Sequence, residues 1–131
     1  MMRVLRWLVL LAVIGAGGVW VLSWPKPLSD ADVAGLTGDA TRGEAVFWAA
    51  GCASCHMAPE AKAEAQLVLV GGQRFPSDFG TFIAPNISQD PQAGIGGWSL
   101  LDLASALKRG VSPEGTHYYP ALHYASYARM Q

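Results

Sequence analysis

Apolar and polar positions alternate at different periods along this chain. Residues 7–24, from Trp7 to Trp24, carry no charge at all; Arg3 and Arg6 precede them and Pro25-Lys26-Pro27 follows. An uncharged run of about 18 residues reaches the length at which a helix spans a bilayer. Trp7, Trp20 and Trp24 lie near its ends, where interfacial aromatics belong. Beyond it the pattern breaks into shorter periods. Asp39 is a good N-cap, Gly43, Val46, Phe47 and Ala50 share one helical face, and Gly51 provides a stop. A second helix is predicted from Ser99, with Asp102 completing a capping box, Leu100, Leu103, Ala104, Leu107 and Val111 as its apolar stripe, and Lys108, Arg109 and Gly110 closing it. Residues 57–97 read as loops, with a short helical stretch over 61–66 and turn signals at Gly71-Gly72, Phe79-Gly80, Pro85-Asn86 and residues 94–97.

This pattern divides the chain into a membrane anchor or signal peptide (1–24), a Pro-bearing linker (25–37) that has one helical turn and holds the rest off the membrane in fairly extended form, and one small domain (38–131). The small-residue stretch 15–18 lies inside the apolar run with further apolar residues after it, which favours an uncleaved anchor. Arg3 and Arg6 stay cytoplasmic and send the domain outward. Composition refines the picture. With 15 glycines and 8 prolines in 131 residues, long irregular connections are expected. From Ser23 onward seven basic residues face ten acidic ones, and no basic run suggests a nucleic-acid partner.

The chemistry concentrates in five residues, Cys52-Ala53-Ser54-Cys55-His56, which hold both cysteines of the chain. Two thiols two residues apart, followed at once by an imidazole, form the attachment signature of a c-type haem, with His56 as the proximal iron ligand. A redox dithiol would want a βαβ context that is missing. A zinc site would need His117 and His123 from far along the chain. The haem reading and the export signal agree, because such attachment belongs on the outer, oxidising side of a bacterial inner membrane. The sixth iron position has three candidates: Met130, His117 and His123. Met57 is bonded to His56 and cannot cross the ring. A thioether raises the reduction potential relative to a second imidazole, which suits a carrier fed by a dehydrogenase.

The motif looks like class I cytochrome c. The runs Phe79–Ser88, Gly94–Ser99, Gly110–Gly115, His117–Ala121 and Ser126–Met130 further resemble the haem domains in cytochrome subunits of membrane-bound alcohol, gluconate and sugar dehydrogenases. The resemblance covers about residues 38–131. It implies a small all-α fold with long loops around one covalent haem c, thioether links at Cys52 and Cys55, His56 as proximal ligand and Met130 as distal ligand. It also implies a backbone carbonyl near Gly71-Gly72 that orients the His56 ring, and Arg74, Trp98 and Tyr118 as haem-pocket candidates. Related domains continue past the methionine into a helix that crosses the first one near its glycine. The domain is therefore expected to lack the partner of Gly43 and Phe47 and to hold its distal side loosely.

Functionally these features imply a single-pass, membrane-anchored carrier with its haem domain in the periplasm. It would pass single electrons from a dehydrogenase towards the respiratory chain, and it would not itself be an enzyme. The alternative is a ligand-binding or sensor haem protein with an open or weakly held sixth position.

Overall fold

The computed structural model describes residues 1–129; Met130, the sequence candidate for the distal ligand, lies outside the described residues. Helix α1 (Met2–Leu22) is one continuous element of 21 residues. At 1.5 Å per residue it is about 31 Å long, the thickness of a bilayer's hydrocarbon core. None of its residues is buried against the protein. Its last turn is closed by Ser23, whose N–H donates to the Val19 carbonyl at 2.9 Å. The Trp20 and Trp24 rings pack at 5.8 Å beside that end.

The linker has the one helical turn expected of it but is not a free tether. It carries a short helix α2 (Asp30–Val33), whose entry is fixed by the Ser29 N–H and hydroxyl donating to Asp32 at 2.8 and 2.7 Å. It is also tied to the domain: the Leu28 N–H donates to the Ser105 hydroxyl at 3.1 Å, and His117 Nε2 donates to the Ser23 carbonyl at 2.9 Å. A buried serine and a histidine from distant parts of the chain hold it, an interaction that no local pattern reveals.

Helix α3 (Ala40–Ala50) starts at Asp39, whose carboxylate accepts from the Arg42 N–H at 2.9 Å, and ends at Gly51 in the left-handed conformation. Phe47 and Ala50 are half-buried, whereas Gly43 and Val46 face solvent. A Cβ placed on Gly43 would meet nothing within 4 Å, so among the described residues no element approaches closely there. Helix α4 (Cys52–His56) follows directly. The short helical stretch expected over 61–66 is a 3₁₀ turn at Ala63–Val68.

The all-α expectation holds as a mostly helical domain with one addition. Strands β1 (Arg74–Ser77) and β2 (Gly80–Ile83) form an antiparallel hairpin in which Arg74 faces Ile83 and Ser77 faces Gly80. Four-residue strands containing Pro76 and Gly80 lack the alternation that would announce them.

Helix α5 (Leu100–Arg109) has the capping box read from its sequence: Asp102 N–H donates to Ser99 Oγ at 3.1 Å, and Ser99 N–H donates back to Asp102 at 2.9 Å. Its buried face differs from the expected stripe. Ser105, Ala106, Gly110 and Val111 are buried, Ala104 and Leu107 are half-buried, and Leu100 and Leu103 are exposed. Gly110 is left-handed, and a Cβ there would strike the ring of Tyr124, the first residue of α6 (Tyr124–Tyr127). Among the described residues the buried apolar side chains are Ala53, Ala84, Ala106 and Val111, all small, and of these Val111 is fully buried.

Capping makes α5 sensitive to its first turn. Ser99→Ala should cost about 1 kcal/mol in a denaturant titration, whereas Ser99→Thr should be nearly neutral. Asp32, Asp90 and Asp102 are all held below the usual carboxylate value of 3.8, Asp32 and Asp102 by serine hydroxyls and backbone N–H groups, Asp90 by the backbone N–H groups of Ala93 and Gln92. The folded chain therefore binds fewer protons than the unfolded one near that value. Their stabilising effect is complete above pH 3.8 and is lost as pH falls through the lower folded values. Acid unfolding of Asp102→Asn should show a shallower loss over that window.

Candidate functional site

Helix α4 is barely longer than one turn, which is what gives Cys52, Cys55 and His56 a common direction. At positions i, i+3 and i+4 they share one face. The left-handed Gly51 permits the chain to leave α3 and start α4 within one residue. The Ser54 hydroxyl donates to the Gly51 carbonyl at 2.6 Å, and Gln73 Nε2 donates to the Ser54 carbonyl at 3.0 Å. Ala53, in the same turn, is buried.

His56 is fixed twice. Its carbonyl accepts from the Gly71 N–H at 2.7 Å, and its Nδ1 lies 2.8 Å from the Pro85 carbonyl oxygen. A carbonyl can only accept, so Nδ1 carries the proton and Nε2 presents its lone pair outward. Such an orienting bond is the usual companion of a metal-ligating imidazole. The acceptor is Pro85, not a carbonyl of the Gly71-Gly72 pair. Gly71 contributes by fitting against it: a Cβ at this left-handed position would come within 2.5 Å of the Ala84 and Pro85 oxygens.

Both cysteines are half-buried and unpaired. Burial, with the nearby Cys55, pushes the Cys52 thiol up against a weaker opposing backbone hydrogen bond. A redox-active dithiol needs the reverse. Among the described residues no three His, Cys, Asp or Glu side chains gather as a metal-binding group, so His117 and His123 do not complete a zinc site with the cysteines. His117 is instead bonded to Ser23, and His123 precedes α6.

Tyr127 is a site residue that its sequence position does not single out. Its hydroxyl donates to the Ala50 carbonyl at 3.1 Å, joining α6 to the last turn of α3. Burial first, then the charges of Cys52 and Cys55, raises its phenol. The aromatic run over 118–127 is the signal that points towards it. Of the three pocket candidates, Arg74 lines an open cleft with Met57, Pro59 and Lys62, next to the His56 turn. Trp98 is half-buried ahead of α5, and Tyr118 is half-buried with its phenol raised by burial and Glu114. Neither is hydrogen-bonded to the Cys52–His56 turn among the described residues.

The donor set fits a flat iron macrocycle held from one side: two thiols and an outward-facing ring nitrogen on a single face. The packing fits as well. Four small buried apolar residues are a thin core for a domain of about 100 residues, while Val46, Leu67, Val68, Val70, Leu100 and Leu103 keep accessible apolar surface that a porphyrin could cover.

Gly71→Ala should lower the thermal midpoint by several degrees, since strain and the clash with two carbonyls exceed about 1 kcal/mol. Gly72→Ala, whose Cβ would meet only Pro59 at 3.5 Å, should cost less despite its own positive φ.

No protein-family model matches the chain. It is 57% identical over 125 residues to a diheme cytochrome c-type protein of Cereibacter sphaeroides, an alignment that takes in 95% of this chain and 42% of that protein. It is 37% identical over 89 residues to the cytochrome c subunit of the quinone alcohol dehydrogenase of Gluconobacter oxydans, covering 68% of this chain and 18% of the relative. It is 36% identical over 87 residues to the cytochrome c subunit of the gluconate 2-dehydrogenase of Pantoea cypripedii, covering 66% and 19% respectively. The chain thus spans less than half the length of each of these relatives. With the thiol pair, the oriented imidazole and these likenesses together, the chain belongs to the c-type cytochromes.

Proposed function

We propose that this chain carries one haem c, attached through thioethers at Cys52 and Cys55 with His56 as proximal ligand, and that it passes single electrons from a periplasmic dehydrogenase towards the respiratory chain. The observation that carries the reading is the His56 Nδ1–Pro85 hydrogen bond, which leaves Nε2 directed away from the backbone on the face shared with both thiols. Electron transfer is the role implied by the family, and cytochrome subunits of dehydrogenases are among the relatives.

When bound, the haem supplies reversible one-electron chemistry at its iron. The chain's own residues set its position and potential. Pro85 holds the His56 ring in one tautomer and makes its free nitrogen a better donor. Gly71 and Gln73 pin the turn that bears it. Tyr127 ties α6 to the last turn of α3, two residues ahead of Cys52. Met130 comes three residues after Tyr127 and is proposed from its sequence position as the distal ligand. Helix α1 is proposed as an uncleaved anchor that places the domain in the periplasm.

Carbon monoxide tests the coordination. Added to the dithionite-reduced, haem-loaded chain, it should leave the Soret band unchanged over minutes, whereas Met130→Ala should shift at once. A prompt shift in the unsubstituted chain would favour the sensor alternative.

A further inference from the structure

The domain is latched to the outer end of α1 and to the linker after it by two hydrogen bonds that none of the electron-transfer chemistry uses. His117 Nε2 donates to the carbonyl of Ser23, the residue that closes α1, and the Leu28 N–H donates to Ser105, itself 4% exposed. His117 stands on a stiff mount. It is bridged to Val111, which is 1% exposed; the Ser112 N–H donates to the Thr116 carbonyl at 2.8 Å, and the Tyr118 N–H to Gly110 at 2.8 Å. Two ties, one at the end of α1 and one five residues on in the linker, leave little freedom for the domain to swing.

Depth follows from these ties. With α1 spanning the hydrocarbon, Ser23 sits at its outer boundary, and the headgroup layer beyond is about 5–7 Å deep. Tyr119 is two residues from His117, within about 7 Å along the backbone. It is 55% exposed and stacks on Phe82 at 4.7 Å, so the β1–β2 hairpin comes with it. A half-exposed tyrosine carried by the segment that meets Ser23 has the amphipathic character that the headgroup layer favours. Trp24, 58% exposed, marks the same level on the linker. We propose that the Tyr119 face of the domain rests on the outer leaflet of the bilayer crossed by α1, held there by His117, so that the haem domain has a fixed orientation to the membrane. This rests on the anchor reading of α1.

Depth-resolved spin labelling tests it on the full, haem-loaded chain in vesicles of phosphatidylethanolamine and phosphatidylglycerol. Labels are attached to Tyr119→Cys and, as a control on α3, to Glu44→Cys. Alkaline carbonate washing first separates the two readings: release of the chain would sink the anchor and the proposal with it. For a retained chain, the ratio of oxygen to water-soluble nickel-chelate accessibility should be several-fold higher at position 119 than at 44. Adding His117→Ala should bring the two ratios together, and His117→Gln, which keeps a donor, should restore the difference. Equal ratios without the latch mutation would overturn the proposal alone. So would a label at 119 shielded from both reagents, which would assign that face to a protein partner.

Discussion

The His56 ring is held by a backbone carbonyl on one nitrogen, and this constraint organises the rest of the domain. For Nδ1–H to reach Pro85 at 2.8 Å, residues 29 positions apart must meet, and the connection between them must turn back sharply. The chain does so through Leu69, Gly71 and Gly72, all with positive φ, and through the β1–β2 hairpin, which returns the strand to Ala84 and Pro85. Gly71 serves both ends, donating its N–H to His56 while lying flat against the two carbonyls. Loops that would otherwise be interchangeable are thereby committed to one imidazole orientation.

The same economy governs burial. A domain with four small buried apolar residues among those described gains little from side-chain packing alone, and its stability leans on helix caps, Asx and serine turns, and left-handed glycines. Polar ties such as Tyr127 to Ala50 and Leu28 to Ser105 join segments 77 residues apart in the chain. In a c-type cytochrome the cofactor is part of the core, so larger residues such as Leu100 and Leu103 can remain accessible on the polypeptide.

Local signals are legible wherever one residue type has one physical use. Asp39 and Gly51 bound α3, Ser99 with Asp102 opens α5, and the charge-free run marks α1 to within a few residues. The Cys52–His56 spacing announces its chemistry without any fold. What the sequence hides is decided at long range. Pro85 as acceptor, Ser105 as an anchor for the linker and Tyr127 as a tie to Ala50 each depend on a partner tens of residues away. The hairpin is hidden because its strands are short and unpatterned. The α5 stripe is displaced from its apolar pattern because Ser105, a polar residue, takes a core position by receiving a backbone N–H.

The account stands on one covalently attached haem at Cys52 and Cys55. Intact-mass measurement of the denatured chain, produced in a host that matures c-type cytochromes, tests this directly. The mass should exceed the polypeptide by one haem, and each of Cys52→Ala and Cys55→Ala should remove one thioether and shift the pyridine haemochrome band. A denatured chain with the mass of the bare polypeptide would contradict the account.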